Sequence, residues 1–292
     1  MYRDSSGQGL NVLSKLGSVL SLMRPANGAL MYLATVVGFF VSTRSLPHPI
    51  TNLLLFATAF SLNSSSMIVN DLLDIEVDRV NAPWRPLPSG RVRRLEAIVS
   101  AALLGFVGLF SALILSYAAF AVASLAYLIA IVYNFRLKPL SLIGNAAVSV
   151  TVVAPFIFGS VVGAGEVVFS VQILGALAFL ASMGREVIKG IPDVGGDVAR
   201  NVRTVASLYG SRVAALLGAS LFLTAVALSP LPYVTGSLGV EYLVTVTVAD
   251  AGFVYESVAI LRRHDGTNAL RVKRRALMWM FIALISFMIG TR

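Results

Sequence analysis

The sequence predicts an all-α protein, a single domain over residues 1–292 folded as a polytopic bundle of about nine transmembrane helices. Of its 292 residues, 57% are hydrophobic and only 13% are charged, against roughly 25% charged residues in a soluble domain. Apolar stretches long enough to cross a bilayer recur along the chain, separated by polar or Pro/Gly-rich connections. The absence of cysteine excludes a disulfide framework and a thiolate metal site.

The predicted helices follow these apolar stretches in order. Residues 1–23 form a polar lead-in without the apolar core and cleavage site of a signal peptide, and we expect it to lie in the cytoplasm. Turn-forming or charged residues bound each later stretch. The predicted spans are 25–43, 51–70, 94–116, 118–135, 141–163, 168–189, 205–229, 235–261 and 270–290.

The basic residues predict the orientation of the bundle. Threading the predicted spans from a cytoplasmic N-terminus places every Lys and Arg except Arg44 and Arg292 on the cytoplasmic side, in agreement with the positive-inside rule. The formal charge of +9 is therefore an orientation signal and not a nucleic-acid-binding surface. We expect a multi-pass protein of the cell membrane whose N-terminus and active-site loops are cytoplasmic.

A polar motif directly follows the second predicted span. Asn70, Asp74 and Asp78 are spaced four residues apart, and Asp71 lies three residues before Asp74, so a helix would carry these side chains on one broad face. Carboxylates clustered at membrane depth repel one another unless a cation neutralises them. Such oxygen ligands favour Mg²⁺, which binds a few carboxylates together with phosphate oxygens.

A second acidic motif follows the sixth predicted span. Asp193 and Asp197 are four residues apart, and Lys189 lies four residues before Asp193, so one helical face could carry all three. The predicted topology places this motif on the same cytoplasmic side as the first. Two acidic motifs in matching positions suggest a weak internal repeat that brings them face to face.

Together the motifs predict metal-dependent chemistry on an isoprenoid diphosphate. Mg²⁺ would bridge carboxylates and diphosphate, basic groups would bind the other phosphate oxygens, and the apolar bundle would hold the isoprenoid chain. The predicted metal ligands are Asn70, Asp71, Asp74, Asp78, Asp193 and Asp197. The predicted catalytic residues are Asp74, Asp78, Asp193, Asp197 and Lys189. The predicted diphosphate contacts are Arg79, Arg85, Tyr133, Lys138 and Lys189, and Arg24 is a candidate contact to the acceptor.

Two segments carry a family resemblance. The first is Asn70-Asp71-x-x-Asp74-x-x-x-Asp78 followed by Asn81-x-Pro83-x-Arg85-Pro86-x-Pro88-Ser89-Gly90, and the second is the Asp193/Asp197 motif. They resemble the two signatures of the UbiA superfamily of intramembrane prenyltransferases. The resemblance extends from about Arg24 to the last predicted span.

Within this superfamily, the chain resembles the archaeal digeranylgeranylglyceryl phosphate synthases. The similar segments are Tyr133-Asn134-x-x-Leu137-Lys138, Gly144-Asn145-Ala146, Phe156-Ile157-Phe158-Gly159 and Arg185-Glu186-x-Ile188-Lys189. The resemblance implies Mg²⁺-dependent transfer of a geranylgeranyl group from its diphosphate to the hydroxyl of geranylgeranylglyceryl phosphate, in archaeal phospholipid synthesis. The chain departs from the family at Gly190, where members usually have a further acid, so the number of bound Mg²⁺ ions stays open.

Two other functions agree with the same residues. An aromatic prenyltransferase of quinone synthesis would direct the prenyl group to a ring carbon of 4-hydroxybenzoate or a naphthoate. A cation-coupled transporter would also use buried carboxylates, but its site should lie near the middle of the membrane. The sequence leaves open the acceptor, the prenyl chain length, the oligomeric state, and the roles of Asp250 and Glu256 in the eighth predicted span.

Overall fold

The computed structural model describes residues 15–192, 194 and 203–291, and the regular structure of these residues is helical except for one isolated β-bridge. A five-residue π-helix, Tyr133–Leu137, directly follows one of the α-helices. The α-helices, numbered in chain order, are α1 (15–23), α2 (Pro25–Thr43), α3 (Pro49–Leu73), α4 (Ile75–Asn81), α5 (Arg94–Leu115), α6 (Tyr117–Val132), α7 (Ser141–Ala164), α8 (Phe169–Lys189), α9 (Val205–Tyr209), α10 (Ser211–Leu228), α11 (Leu231–Val234), α12 (Val240–Arg262) and α13 (Gly266–Gly290).

Eight helical segments in the described part of the chain are long and apolar enough to cross a membrane. They are α2, α3, α5, α6 with the π-helix, α7, α8, α10 with α11, and α12. A ninth long helix, α13, has 25 residues, but Arg271, Lys273, Arg274 and Arg275 shorten its uncharged part. The predicted all-α, multi-pass bundle of about nine long helices is confirmed.

The seventh predicted span differs most clearly from the observed helices. The sequence predicts one helix over 205–229, but the structure divides it into α9 and α10 at Gly210. Gly210 has a φ of +85°, a conformation that glycine adopts without the steric cost paid by other residues. The hydropathy of the predicted span does not indicate this break. Most of its apolar residues belong to α10, so the span remains apolar whether or not α9 is a separate helix.

The helices form two compact units. The first comprises Met1–Leu33 with Pro49–Asn134, and the second comprises Ala34–His48 with Phe135–Arg292. The first unit contains the Asn70–Asp78 motif, and the second contains Lys189 at the end of α8. The single-domain assignment stays a prediction.

Close backbone contact joins α2 and α7 in the second unit. A side chain added at Gly159 would place its Cβ 2.7 Å from the backbone nitrogen of Phe39, closer than real Cβ atoms come to such a group. A Cβ at Gly38 would likewise clash with the backbone of Phe156. Small residues are a common means of packing membrane helices, since apolar surface alone gives little preference for another helix over lipid.

The two acids without a predicted role both lie on α12 and make polar contacts with other helices. Glu256 is fully buried and accepts hydrogen bonds from Arg275 Nη2 at 3.1 Å and from Trp279 Nε1 at 3.3 Å. Asp250 accepts from the Ser229 hydroxyl at 2.7 Å. Because a buried charge needs such partners, these contacts fasten α12 to α13 and to the end of α10.

Candidate active site

The first acidic motif lies where α3 ends and α4 begins. Asn70 and Asp71 belong to the last turn of α3, Asp74 separates the helices, and Asp78 is on α4. Despite the break, the Asp74 N–H donates to the Asn70 carbonyl at 3.0 Å, and the Asp78 N–H donates to the Asp74 carbonyl at 2.8 Å. Asn70, Asp74 and Asp78 are therefore successive residues of one helical ladder, each about one turn from the next.

Two arginines compensate the buried acids of this motif. Asp71 and Asp78 are only 5% and 7% exposed. Arg24 Nη2 lies 2.6 Å from Asp71 Oδ1, and Arg85 Nη1 lies 2.6 Å from Asp78 Oδ2. Arg85 is also 3.7 Å from Asp71 Oδ1. The motif is thus an alternating cluster of carboxylates and guanidinium groups, all within the first unit.

Arg24 reaches Asp71 from an unusual backbone conformation. It lies between α1 and α2, with a φ of +50°, and α2 begins at Pro25, as predicted. A left-handed conformation costs a residue other than glycine about 1 kcal/mol or more, and such strain concentrates at functional sites. Leu22, which is 1% exposed, anchors the preceding turn in the core of the first unit.

The proline-rich connection after α4 positions Arg85. The Arg85 N–H donates to the Ala82 carbonyl at 3.0 Å, and the Arg85 carbonyl accepts from the Ser89 N–H at 3.0 Å. Leu87 is buried in the same core as Leu22 and holds this turn against the helices. The hydrogen bond to Asp78 raises the pKa of the Arg85 guanidinium, so the group stays charged beside the acids.

Arg79 has a different partner from the one its predicted role requires. Its guanidinium bonds to Glu76 at 2.9 Å, and both side chains are exposed. Tyr133 is half-buried in the π-helix, and Lys138 is exposed just after it. Contact of Arg79, Tyr133 and Lys138 with a diphosphate stays a prediction.

Lys189 belongs to a second cluster, at the end of α8 in the second unit. The carboxylate of Glu186 is nearly buried and accepts from Arg185 Nη1 at 2.6 Å and from Lys189 Nζ at 2.9 Å. Glu186 belongs to a segment that resembles the family, but it has no role among the site residues predicted from sequence. An acid within an apolar span is a functional-site signal on its own, and here it holds the predicted diphosphate-binding lysine.

The predicted second acidic motif, Asp193 and Asp197, lies outside the described residues. The structure does describe Gly190, where the family resemblance leads one to expect an acid. A Cβ at Gly190 would lie 3.2 Å from the Cβ of Thr204, which is closer than ordinary contact. The helix end packs against Thr204, and this packing gives a physical reason for the glycine.

The donor set around Asn70 fits Mg²⁺ when phosphate supplies part of the coordination. Among the described residues, the His, Asp and Glu side chains form no group of three able to hold a metal ion. Mg²⁺ is usually held by one or two carboxylates together with substrate phosphates and water, not by a complete protein cage. The Asn70 amide and the Asp74 carboxylate, next to Asp71 and Asp78, supply the hard oxygen atoms that this coordination requires.

Comparisons with known proteins identify the family. The sequence matches the UbiA prenyltransferase family over residues 31–285. The digeranylgeranylglyceryl phosphate synthase of Archaeoglobus fulgidus is 33% identical over 279 residues, which cover 94% of this chain and 95% of that protein.

Solved structures give the same result for the fold. A structure from work on digeranylgeranylglyceryl phosphate synthase in membranes has a TM-score of 0.85 at 31% identity and covers 95% of this chain and 98% of that one. A UbiA homologue from Archaeoglobus fulgidus, solved with DMAPP and Mg²⁺, has a TM-score of 0.73 at 18% identity and covers 92% of this chain and 99% of that one. The chain belongs to the UbiA prenyltransferase family.

Proposed function

We propose that this prenyltransferase transfers a geranylgeranyl group from geranylgeranyl diphosphate to the hydroxyl of geranylgeranylglyceryl phosphate, with Mg²⁺, in archaeal membrane-lipid synthesis. The observation that carries the proposal is the ladder of Asn70, Asp74 and Asp78, flanked by two arginines at the end of a membrane-spanning helix. Similarity to a synthase of this name, 33% identical over 94% of the chain, supports this choice of substrates.

The metal ligands in this proposal are the six residues predicted from sequence. Asn70, Asp71, Asp74 and Asp78 would hold Mg²⁺ with the diphosphate, and Asp193 and Asp197 are assigned to the same role. Bound Mg²⁺ supplies positive charge that stabilises the departing diphosphate.

The basic residues bind and orient the substrates. Lys189 and Arg85 bind phosphate oxygens of the diphosphate, together with Arg79, Tyr133 and Lys138. Arg24, fixed by Asp71 but still 33% exposed along its side chain, binds the phosphate of the acceptor. The bond between C1 of the prenyl chain and the diphosphate oxygen breaks, and its electron pair leaves with the diphosphate. The acceptor hydroxyl oxygen then bonds to C1, and its proton is released.

The proposed orientation places this site at the cytoplasmic face of the membrane. The positive-inside rule supports that orientation, because the residues after α4, at the end of α8 and at the start of α13 are rich in Arg and Lys. A cytoplasmic site is also accessible to a soluble diphosphate headgroup, whereas the prenyl chain can remain among apolar helices.

Product identification tests the proposal. Purified protein is incubated with geranylgeranyl diphosphate, Mg²⁺ and equal amounts of geranylgeranylglyceryl phosphate and 4-hydroxybenzoate, and products are identified by mass. We expect the diether lipid phosphate, and we expect EDTA to prevent its formation. Prenylated hydroxybenzoate as the main product would instead identify an aromatic prenyltransferase. Ion flux into liposomes without diphosphate release would identify a transporter.

Lys189→Met is expected to lower kcat/KM for geranylgeranyl diphosphate by about 100-fold, the usual scale for losing one charge-stabilising group. Glu186 also pairs with Arg185 at 2.6 Å, and the substitution does not remove that partner, so the melting temperature should change little. The measurements are steady-state kinetics and thermal unfolding in detergent.

Lys15→Met is the matched control for this change. Lys15 is 45% exposed and pairs with Glu96 at 2.6 Å, much as Lys189 is 42% exposed and pairs with Glu186 at 2.9 Å. We expect the control to keep its activity within about twofold, because it removes a surface ion pair only. Equal losses in the two variants would contradict a diphosphate-binding role for Lys189.

A further inference from the structure

A chain of polar groups connects the π-helix to the last turns of α3. Asn70 Nδ2 donates to Asn134 Oδ1 at 3.1 Å. Asn134 Nδ2 in turn donates to the backbone oxygen of Ser66 at 3.1 Å and lies 3.3 Å from the Ser66 hydroxyl. All three residues belong to the first unit, and both amide contacts have ordinary hydrogen-bond lengths.

The backbone oxygen of Ser66 fixes the direction of both amide hydrogen bonds. A carbonyl oxygen only accepts hydrogen bonds, so Asn134 must turn its NH₂ group towards Ser66. The Asn134 oxygen then faces Asn70, and Asn70 must donate to it from its own NH₂ group. The Ser66 hydroxyl does not alter this argument, because a hydroxyl can either donate or accept. The amide oxygen of Asn70 therefore takes no part in these hydrogen bonds.

We infer that Asn134 is a positioning residue that fixes the amide of Asn70 with its oxygen available to a divalent cation. An asparagine binds Mg²⁺ through its oxygen and never through its NH₂ group, and in a freely rotating amide the two ends exchange. The inference rests on the proposed metal-binding role of Asn70. It adds a residue that touches neither metal nor substrate and acts only through Asn70.

The backbone around Asn134 agrees with a positioning role. Asn134 is the second residue of the π-helix, which directly follows α6. π-Helical turns are rare and occur frequently at functional sites. Asn134 itself is half-buried, which suits an amide that must keep one orientation.

A double-mutant cycle tests the inference through metal binding. The four proteins are the wild type, Asn134→Leu, Asn70→Asp and the double variant. Binding of Mn²⁺, a paramagnetic substitute for Mg²⁺, is measured by electron paramagnetic resonance with a prenyl diphosphate analogue whose C1 oxygen is replaced by sulfur. An aspartate at position 70 presents an oxygen at either end, so it has no wrong orientation.

We expect Asn134→Leu to weaken Mn²⁺ binding by about threefold to tenfold when it is made in the wild type, the value of roughly one hydrogen bond. When it is made in the Asn70→Asp variant, the same substitution should cost nothing. Ser66→Ala, which keeps the backbone carbonyl, should bind Mn²⁺ within about twofold of the wild type. If Asn134→Leu does not fold, Asn134→Ala replaces it in both proteins.

Two outcomes would overturn the inference. Equal losses in the wild type and in the Asn70→Asp variant would show that Asn134 only packs the helices together, and no loss in either would show that it does nothing for the metal. In both cases the wild type still binds Mn²⁺, so the proposed function survives. A wild-type protein that binds no Mn²⁺ would instead overturn the metal assignment, and this inference with it.

Discussion

Asp74→Asn is expected to lower kcat/KM for geranylgeranyl transfer by at least about 100-fold while leaving the fold intact. Removing one group that stabilises developing charge costs a factor of this order, and the amide that replaces Asp74 keeps the shape of the side chain but loses its charge. Asp74 lies at the junction of α3 and α4, and its side chain makes no capping hydrogen bond to α4. Backbone hydrogen bonds connect Asp74 to Asn70 and Asp78 across the junction, and the substitution preserves them.

Glu76→Gln is the matched control for this prediction. It makes the same change of charge two residues further along the chain, but the Glu76 side chain is 77% exposed and pairs with Arg79. We expect its activity to stay within about twofold of the wild type. Kinetics over a range of Mg²⁺ concentrations, with thermal unfolding in detergent, measure both variants. Wild-type activity in Asp74→Asn would contradict the proposed site.

Arg85→Gln is expected to move metal affinity and substrate affinity in opposite directions. Arg85 competes with any cation for Asp71 and Asp78, so its removal should tighten Mn²⁺ binding in the absence of diphosphate. The KM for geranylgeranyl diphosphate should rise about tenfold, because a charged hydrogen bond to phosphate is lost. Binding of Mn²⁺ followed by electron paramagnetic resonance and steady-state kinetics measure the two effects separately.

The same substitution should destabilise the metal-free protein. Breaking a fully buried ion pair costs about 3–5 kcal/mol, but Arg85 is 39% exposed, so we expect about 1–2 kcal/mol. Added Mg²⁺ should restore part of the melting temperature, because it replaces the lost positive charge. Arg93→Gln is the control for this loss of stability, because it also removes an arginine paired with an acid, Glu96, but at an exposed position. Parallel losses of metal and diphosphate affinity in Arg85→Gln would show general damage and contradict this account.

The site is only partly predictable from the sequence. The four-residue spacing of Asn70, Asp74 and Asp78 predicts that they lie about one turn apart, and the structure shows this even across the end of α3. Which of the nearby arginines pairs with these acids cannot be predicted in the same way. Arg79 and Arg85 are equally plausible from sequence, yet Arg85 contacts the buried acids and Arg79 pairs with an exposed glutamate. The proline-rich turn and the buried Leu87 decide this, and neither effect follows from spacing.

Asn134 and Glu186 show that a sequence can mark a polar residue as a candidate without giving its partner. Each is a polar residue within or directly after an apolar span, which marks it as a candidate. The role of such a residue depends on its hydrogen-bond partner. The partner of Asn134 is Asn70, which is distant in the sequence. A pattern read along one helix carries no information about such a contact.

The sequence by itself determined the all-α membrane class, the approximate helices and the acidic motif of the first unit, because hydrophobic length and helical periodicity are local properties of the chain. Only the tertiary structure decided that Arg24 pairs with Asp71, that Asn70 donates a hydrogen bond to Asn134, and that Glu186 pairs with Lys189. It also gave the buried Glu256 its partners on α13. The choice of partner for a buried polar group depends on which helices pack together, since each such group must find a hydrogen bond where water is absent.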